Sequence, residues 1–329
     1  MQHNKTIDLL GFGNTIVDIE YRVNEALLNT LGISKGSMTL IDLNQKQTIM
    51  NKLPQAVHKC SGGSVANSLY GASLFGLNTY HLGVIGNDDL AEFSKNDYDN
   101  NNIKHSFNEL GVEGDSGCCL VLITPDGERT MLTYLGVSSA FKLNNHFEAI
   151  IPQANILFIE GYLLADDNVF DLLKNTIIPI AKKNDTKIAF TLSDAGLVGF
   201  FKDRFNEFLA LKCDLVFANL AEAKTISSHE SITAIQSFFE TIATEVVITD
   251  GQNGAYTLIQ NELTHHQTSA LKAVDTTGAG DSFAGTYIAQ RLQNKSVSES
   301  GKLANQAAGI VISNYGARPV AFSKEFTNA

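Results

Sequence analysis

A chain of 329 residues, 44% hydrophobic and 18% charged, can bury a substantial core, and this ordinary globular composition excludes disorder and fibrous folds. The formal net charge of −11 argues against nucleic acid as the main partner, because such binding rests on clustered Lys and Arg; a local basic cleft around a small anion stays open. Cys60, Cys118, Cys119 and Cys213 lack Cys-x-x-Cys spacing and read as free thiols, and no apolar run reaches membrane length, so a cytoplasmic protein with no membrane partner is expected.

In chain order, apolar runs at residues 7–10, 80–85, 156–159, 187–192, 215–217 and 246–248 read as buried strands, most of them followed by helical spacing such as 167–181 and 222–225. Repeated strand–helix units predict an α/β fold with a mostly parallel sheet covered on both faces. Two stretches break that rhythm. Residues 17–23 and 36–40 are β-type, and the run 117–136 surrounds Pro125-Asp126-Gly127, where Pro presets φ and Gly admits positive φ, so a hairpin is predicted there. On that strand the adjacent Cys118 and Cys119 point to opposite faces. These antiparallel pieces predict a small β lid, inserted from about 16–50 and 106–137 into one domain covering 1–329. A late hairpin begins at Glu245, and His265-His266 within it reads as a solvated strand end.

Four stretches carry chemistry. "VDTTGAGD", residues 274–281, holds two carboxylates and no Lys or Arg, yet it leads into helical spacing from Phe283 to Leu292. Gly278, Ala279 and Gly280 therefore stand at a helix N-terminus, where unpaired N–H groups and the helix dipole receive an anion without any lysine. Read alone, the stretch is equally a plain strand-to-helix turn with Asp281 as a first-turn acid. Gly62-Gly63 open a second helix carrying Asn67, which either presents an amide to a hydroxyl-rich ligand or is simply a half-exposed residue. Asn219 and Glu222 outline a capping box, or alternatively set an amide and a carboxylate at a strand end where the water shell of Mg²⁺ can be organised. Gly11 and Gly13 follow a strand, but Ile16 stands where a dinucleotide fingerprint needs its third glycine. Asp18, just beyond, is either a surface acid or a grip for a vicinal diol.

Taken together, "GGSVANSLYGASLFG", "NLAE", "VVITDGQNGAY" and "VDTTGAGDSFAGTY" resemble, in that order, the motifs of the ribokinase-like (PfkB) carbohydrate and nucleoside kinases. The resemblance runs over nearly the whole chain and implies a three-layer ribokinase-like core with a mostly parallel central sheet plus a small β lid. It implies phosphoryl transfer from ATP, with Mg²⁺, to a primary hydroxyl. On this carry-over Asp281 is the general base, and Gly278, Ala279 and Gly280 form the anion hole. Asn219, Thr249, Gly251, Gly254 and Asn305 serve the nucleotide, and Glu222 serves Mg²⁺ through water. Asp18, Gly63 and Asn67 hold substrate hydroxyls, while Asp275 and Thr277 match positions that in some members bind a monovalent cation such as K⁺. "GNTIVDIE" and "TLSDAGLVGFF" resemble the adenosine-kinase-like branch, which implies a nucleoside acceptor of the adenosine or inosine/guanosine type; a free sugar such as ribose or fructose is the alternative. Homodimer formation is compatible with this reading. A non-catalytic nucleotide-binding protein on the same fold is disfavoured by Asp281, and an NAD-dependent oxidoreductase by Ile16.

Overall fold

The computed structural model describes residues 5–268 and 273–318, together with Phe322 and Phe326. Every apolar run singled out above contains a strand, although the run 80–85 leaves its strand after Leu82 and 187–192 after Thr191. In chain order the strands are β1 (Ile7–Phe12), β2 (Ile16–Arg22), β3 (Met38–Leu40), β4 (His58–Gly62), β5 (Thr79–Leu82), β6 (Lys104–His105) and β7 (Gly117–Ile123). There follow β8 (Arg129–Tyr134), β9 (Ala154–Glu160), β10 (Lys187–Thr191), β11 (Cys213–Asn219), β12 (Ala243–Thr249), β13 (Ala255–Ile259) and β14 (Glu262–His266).

Among the described residues, nine strands make the large sheet in the order β14-β13-β12-β11-β10-β9-β1-β5-β6. From β12 to β6 all pairings are parallel, and the β12–β13–β14 end is antiparallel. Strand β1 is buried on both faces: Leu10 and Phe12 join a cluster with Phe147, Leu173 and Phe208, while Leu9 packs on the other side with Leu69, Phe283 and Tyr287. Helices thus cover the sheet on both sides, which is why the strands read as continuous apolar runs rather than alternating ones. The predicted helix at 167–181 is broken into Asp167–Leu172, a π turn at Leu173–Ile177 and Ile178–Lys183. Pro179 has no N–H to give the preceding turn, and the wider π turn absorbs that loss.

The second sheet has the order β3-β8-β7-β2-β4. It includes the predicted hairpin, with Ile123 opposite Arg129, and it also draws on β4, which lies beyond residues 16–50. The polar "HKCSG" of β4 shows no alternating apolar signal, so only its pairing with β2 reveals it. Val17, Ile19, Cys118 and Leu120 pack on one face, against Leu28 and Ile49. The opposite face carries Cys119, Val121, Ile123 and Met131, so the two adjacent cysteines do point apart. Asp18 and Glu20 lie on that face too, two residues apart on β2. Since β2 begins just past the C-terminal end of β1, and β4 runs directly into the helix Ser64–Ser73, this face stands at the C-terminal edge of the parallel strands, the edge at which open α/β sheets in general take ligands.

Candidate active site

The segment 274–281 ends in the helix Ala279–Leu292, whose N-cap is Gly278 in the left-handed region at φ 74°. A Cβ at Gly278 would lie 2.5 Å from the Ala317 carbonyl oxygen, so the turn accepts no larger residue without moving. A Cβ at Gly280 would meet nothing within 4 Å, which shows that the first helical turn opens onto free space. An unobstructed N-terminal turn of this kind presents N–H groups and a partial positive charge to an anion.

Asp281 sits one residue further on. Ser64 Oγ donates to its Oδ1 at 2.6 Å and Asn67 Nδ2 donates to its Oδ2 at 3.0 Å, so the helix that begins at the Gly62-Gly63 turn grips the carboxylate. Asn67 is buried rather than half-exposed. Gly63 caps its helix at φ 99°, and a Cβ there would come within 2.5 Å of the Asn14 carbonyl oxygen. Burial pushes the Asp281 carboxyl up to about 6, against the two hydrogen bonds and the Arg318 guanidinium, which favour the charged form. Asp18 is raised to about 7 by burial, opposed by Arg318 and Arg129, and its carboxylate lies so close to Gly62 that a Cβ would be 2.5 Å from Oδ2.

Glu160, at the end of β9, escaped the sequence reading. It accepts from the backbone N–H and side-chain amide of Asn14, both at 2.8 Å, and from Val65 N at 3.1 Å, and burial raises it to about 7. It thereby ties the β1–β2 turn to the start of the Ser64 helix. A Cβ at Gly13 would meet its Oε2 at 2.7 Å, so Gly13 is small to admit this carboxylate and not a nucleotide. A carboxylate directly after an apolar parallel strand was the available signal.

On the other flank, Asn219 and Thr249 are register partners at the ends of β11 and β12. The Asn219–Glu222 capping box is real: Asn219 Oδ1 accepts from Glu222 N at 2.8 Å, and Glu222 accepts from Asn219 N at 2.9 Å and from its amide at 2.7 Å. Burial raises Glu222 to about 7, and Asp194 and Asp281 face it. Gly251 and Gly254 flank the β12–β13 turn at φ 51° and 90°. Asn305 donates to the His266 carbonyl at 2.8 Å, and the same carbonyl is what a Cβ at Gly254 would strike, at 2.0 Å. The reading of His266 as solvated is thus corrected: its ring is buried, shares a hydrogen bond with Thr257 Oγ1 at 2.9 Å, and is held neutral by burial, whereas His265 is indeed exposed. His266 is the last residue of β14, and its ring lies so close to Gly301 that a Cβ there would be 2.4 Å from it.

Asp275 and Thr277 form a tight turn, with Asp275 accepting from Thr277 N at 3.0 Å and from Gly316 N at 2.8 Å. Arg129 Nη1 lies 3.2 Å from Asp275 Oδ2, and its Nη2 donates to Glu20 at 2.8 Å. Asp275 shares this single guanidinium with Glu20, so one positive charge faces two carboxylates there. Arg129 and Arg318, with side chains only 9% and 8% exposed, are the local basic groups that the net charge hid. No group of three or more metal-ligating side chains occurs among the described residues.

The family model for pfkB family carbohydrate kinases matches residues 32–323. The chain belongs to the pfkB family. Adenosine kinase 2 of Arabidopsis thaliana is 26% identical over 336 residues, covering 94% of each chain. The crystal structure of adenosine kinase from Sinorhizobium meliloti superposes with a TM-score of 0.85 at 30% identity, covering 96% of both chains. A probable sugar kinase from Rhizobium etli CFN 42 gives 0.85 at 28% identity, covering 97% of this chain and 96% of that one. The pfkB chain is therefore a phosphotransferase acting on a hydroxyl group of a nucleoside or sugar, in the adenosine-kinase-like branch of the ribokinase-like fold. No described helix is long and apolar enough to cross a membrane.

Proposed function

We propose that the protein transfers the γ-phosphoryl group of ATP to the primary 5′-hydroxyl of a nucleoside. The observation that carries this reading is the Asp281 carboxylate, held by Ser64 and Asn67 beside a helix N-terminus that opens onto free space at Gly280. In the proposed reaction Asp18, Gly63 and Asn67 hold the ribose, and Asp281 accepts the proton of the 5′-hydroxyl. Its position at about 6 leaves it ionised at neutral pH and only weakly basic, which suits a loose transition state in which the proton leaves late. Gly278, Ala279 and Gly280 receive the transferring phosphoryl oxygens, and a well-placed N–H donor of this sort contributes about 3–4 kcal/mol.

Asn219, Thr249, Gly251, Gly254 and Asn305 flank the nucleotide on this reading. Glu222 fits an ATP-bound Mg²⁺: its two oxygens each accept one hydrogen bond from Asn219 yet keep a lone pair for a metal-bound water, and Mg²⁺ is commonly held by phosphates and water with few protein ligands. When bound, Mg²⁺ neutralises phosphate charge. Asp275 and Thr277 are proposed as the place of a monovalent cation such as K⁺, and activity unchanged on replacing K⁺ by a large organic cation overturns that part of the reading. The second sheet is proposed to act as a lid that excludes water, drawing on β4 as well as on segments 16–50 and 106–137.

A nucleoside is favoured over a free sugar by the likeness to the Sinorhizobium adenosine kinase over 96% of both chains. It is also favoured by the apolar Val121, Ile123 and Met131 on the sheet face that carries Asp18, a surface suited to a flat base. The likeness to the Rhizobium probable sugar kinase keeps ribose or fructose as the second reading. Adenosine, inosine, guanosine, ribose and fructose assayed side by side with Mg-ATP decide between them. Turnover of nucleosides is expected; turnover of free sugars alone overturns the assignment.

A further inference from the structure

Arg318 lies 251 residues from Asn67 in sequence, yet its Nε–H donates to Asn67 Oδ1 at 3.0 Å. Its Nη1 reaches Asp97 Oδ2 at 3.1 Å, and the guanidinium lies 5.2 Å from the Tyr70 ring centroid. Arginine has donors only, so it can bind the oxygen end of the Asn67 amide and not the nitrogen end. That leaves the Asn67 NH₂ group facing Asp281. A flipped amide would set N–H against N–H at Arg318 and oxygen against carboxylate at Asp281.

We infer that Arg318 is a positioning residue for phosphoryl transfer, acting through Asn67 to hold the Asp281 carboxylate oriented and ionised. The inference rests on the proposed role of Asp281 as base. The groups facing Asp281 from the other elements are Asp18 on β2, Glu160 on β9, Glu222 on the helix Leu220–Ser227 and the phenol of Tyr162, all acidic, while Arg318 supplies the opposing positive charge. Arg318 itself faces Asp97 and Tyr98 of the helix Asp89–Asn100, Asp18, and the Cys60 thiol, which burial pushes up to about 12. It also faces His81, which burial lowers to about 3 and keeps neutral. Neither Cys60 nor His81 changes charge near pH 6, so a pH effect transmitted by Arg318 reports on the carboxylates.

The test is the acid limb of kcat/KM, followed from about pH 5 to 9 with Mg-ATP and whichever of adenosine, inosine, guanosine, ribose and fructose turns over, for wild type, Arg318→Met, Arg318→Lys and Asp97→Asn. Arg318→Met is expected to move the limb up by about one pH unit, a loss of about fivefold at pH 6 that closes as the pH rises. Arg318→Lys keeps the charge and is expected to hold the limb near its wild-type place. Asp97→Asn leaves the guanidinium uncompensated and moves the limb down, a readout that survives if Arg318→Met fails to fold. A uniform fall at every pH with the limbs of Arg318→Met and Asp97→Asn unmoved overturns the inference and leaves Arg318 a fold residue. Asp281→Asn separates the two levels. If it turns over near-normally the base reading itself fails, whereas an inactive Asp281→Asn beside unmoved limbs sinks the Arg318 inference alone.

Discussion

Asp281 is an ordinary first-turn acid by position and an unusual one by company. Its two oxygens receive a hydroxyl and an amide from one turn of a neighbouring helix, with no lysine or arginine in direct contact among the described residues. Replacing it with Asn presents an NH₂ group to the Ser64 hydroxyl or the Asn67 amide and removes the proton acceptor. Asp281→Asn is expected to lower kcat by about 10²–10⁴ while ATP binding, followed by calorimetry, stays within a few fold. A kcat within a factor of about ten of wild type contradicts the base assignment. At this scale the sequence exposes what is local. Gly278 to Asp281, Gly63 with Asn67, and Asn219 with Glu222 each lie within one turn of a helix start, where spacing betrays them. Ser64, Glu160, Arg129 and Arg318 matter through partners far away in sequence, and no periodicity marks such pairings.

Between elements, the decisive link is Arg129. It sits at the first residue of β8 and joins two acids, Glu20 on β2 and Asp275 ahead of the turn at Gly278, thereby tying the second sheet to the core. Glu20 and Asp275 have side chains only 9% and 4% exposed, so deleting the guanidinium strands two carboxylates away from water. Arg129→Ala is therefore expected to cost about 3–5 kcal/mol in urea unfolding, and Arg129→Lys, which keeps the charge, distinctly less. A cost for the alanine variant below about 1 kcal/mol shows that water or rearrangement compensates the acids. The hairpin bearing Arg129 was legible because Pro125-Asp126-Gly127 dictates a turn; the parallel strands were legible because burial on both faces leaves unbroken apolar runs. Strand β4 was not, since its residues are polar and its only role in the sheet is to pair.

For the molecule as a whole, the buried ionisable groups set a stability profile with two slopes. Asp18, Glu160, Glu222 and Asp281 all titrate above their usual range because burial disfavours their charge. Their folded values exceed the unfolded ones, so their contribution is fully present below about pH 4 and is lost as pH rises through about 6–7. His81, His105 and His266 are lowered by burial, so their contribution is present above about pH 6.5 and is lost as pH falls below it. Thermal melts of the ligand-free protein at fixed ionic strength are expected to show Tm rising as pH falls from about 8 toward 6.5 and flattening at lower pH, where the histidines offset most of the carboxylate gain. A Tm that climbs steadily from pH 6 to 8 contradicts the raised carboxylates. The order of the chain adds a constraint in time. Ser64 and Asp281 are 217 residues apart, and Asn67 and Arg318 are 251. At about 5–20 residues per second, a ribosome takes about 12–50 s to reach Arg318 after Asn67 has been made. For that interval the Ser64 helix, joined later by strands β7 and β8 and then by Glu160, lacks the residues that complete it. The helix that carries Asp281 also supplies Phe283 and Tyr287 to the core around Leu9 and Leu69, so the grip on Asp281 and the packing beneath it are completed together.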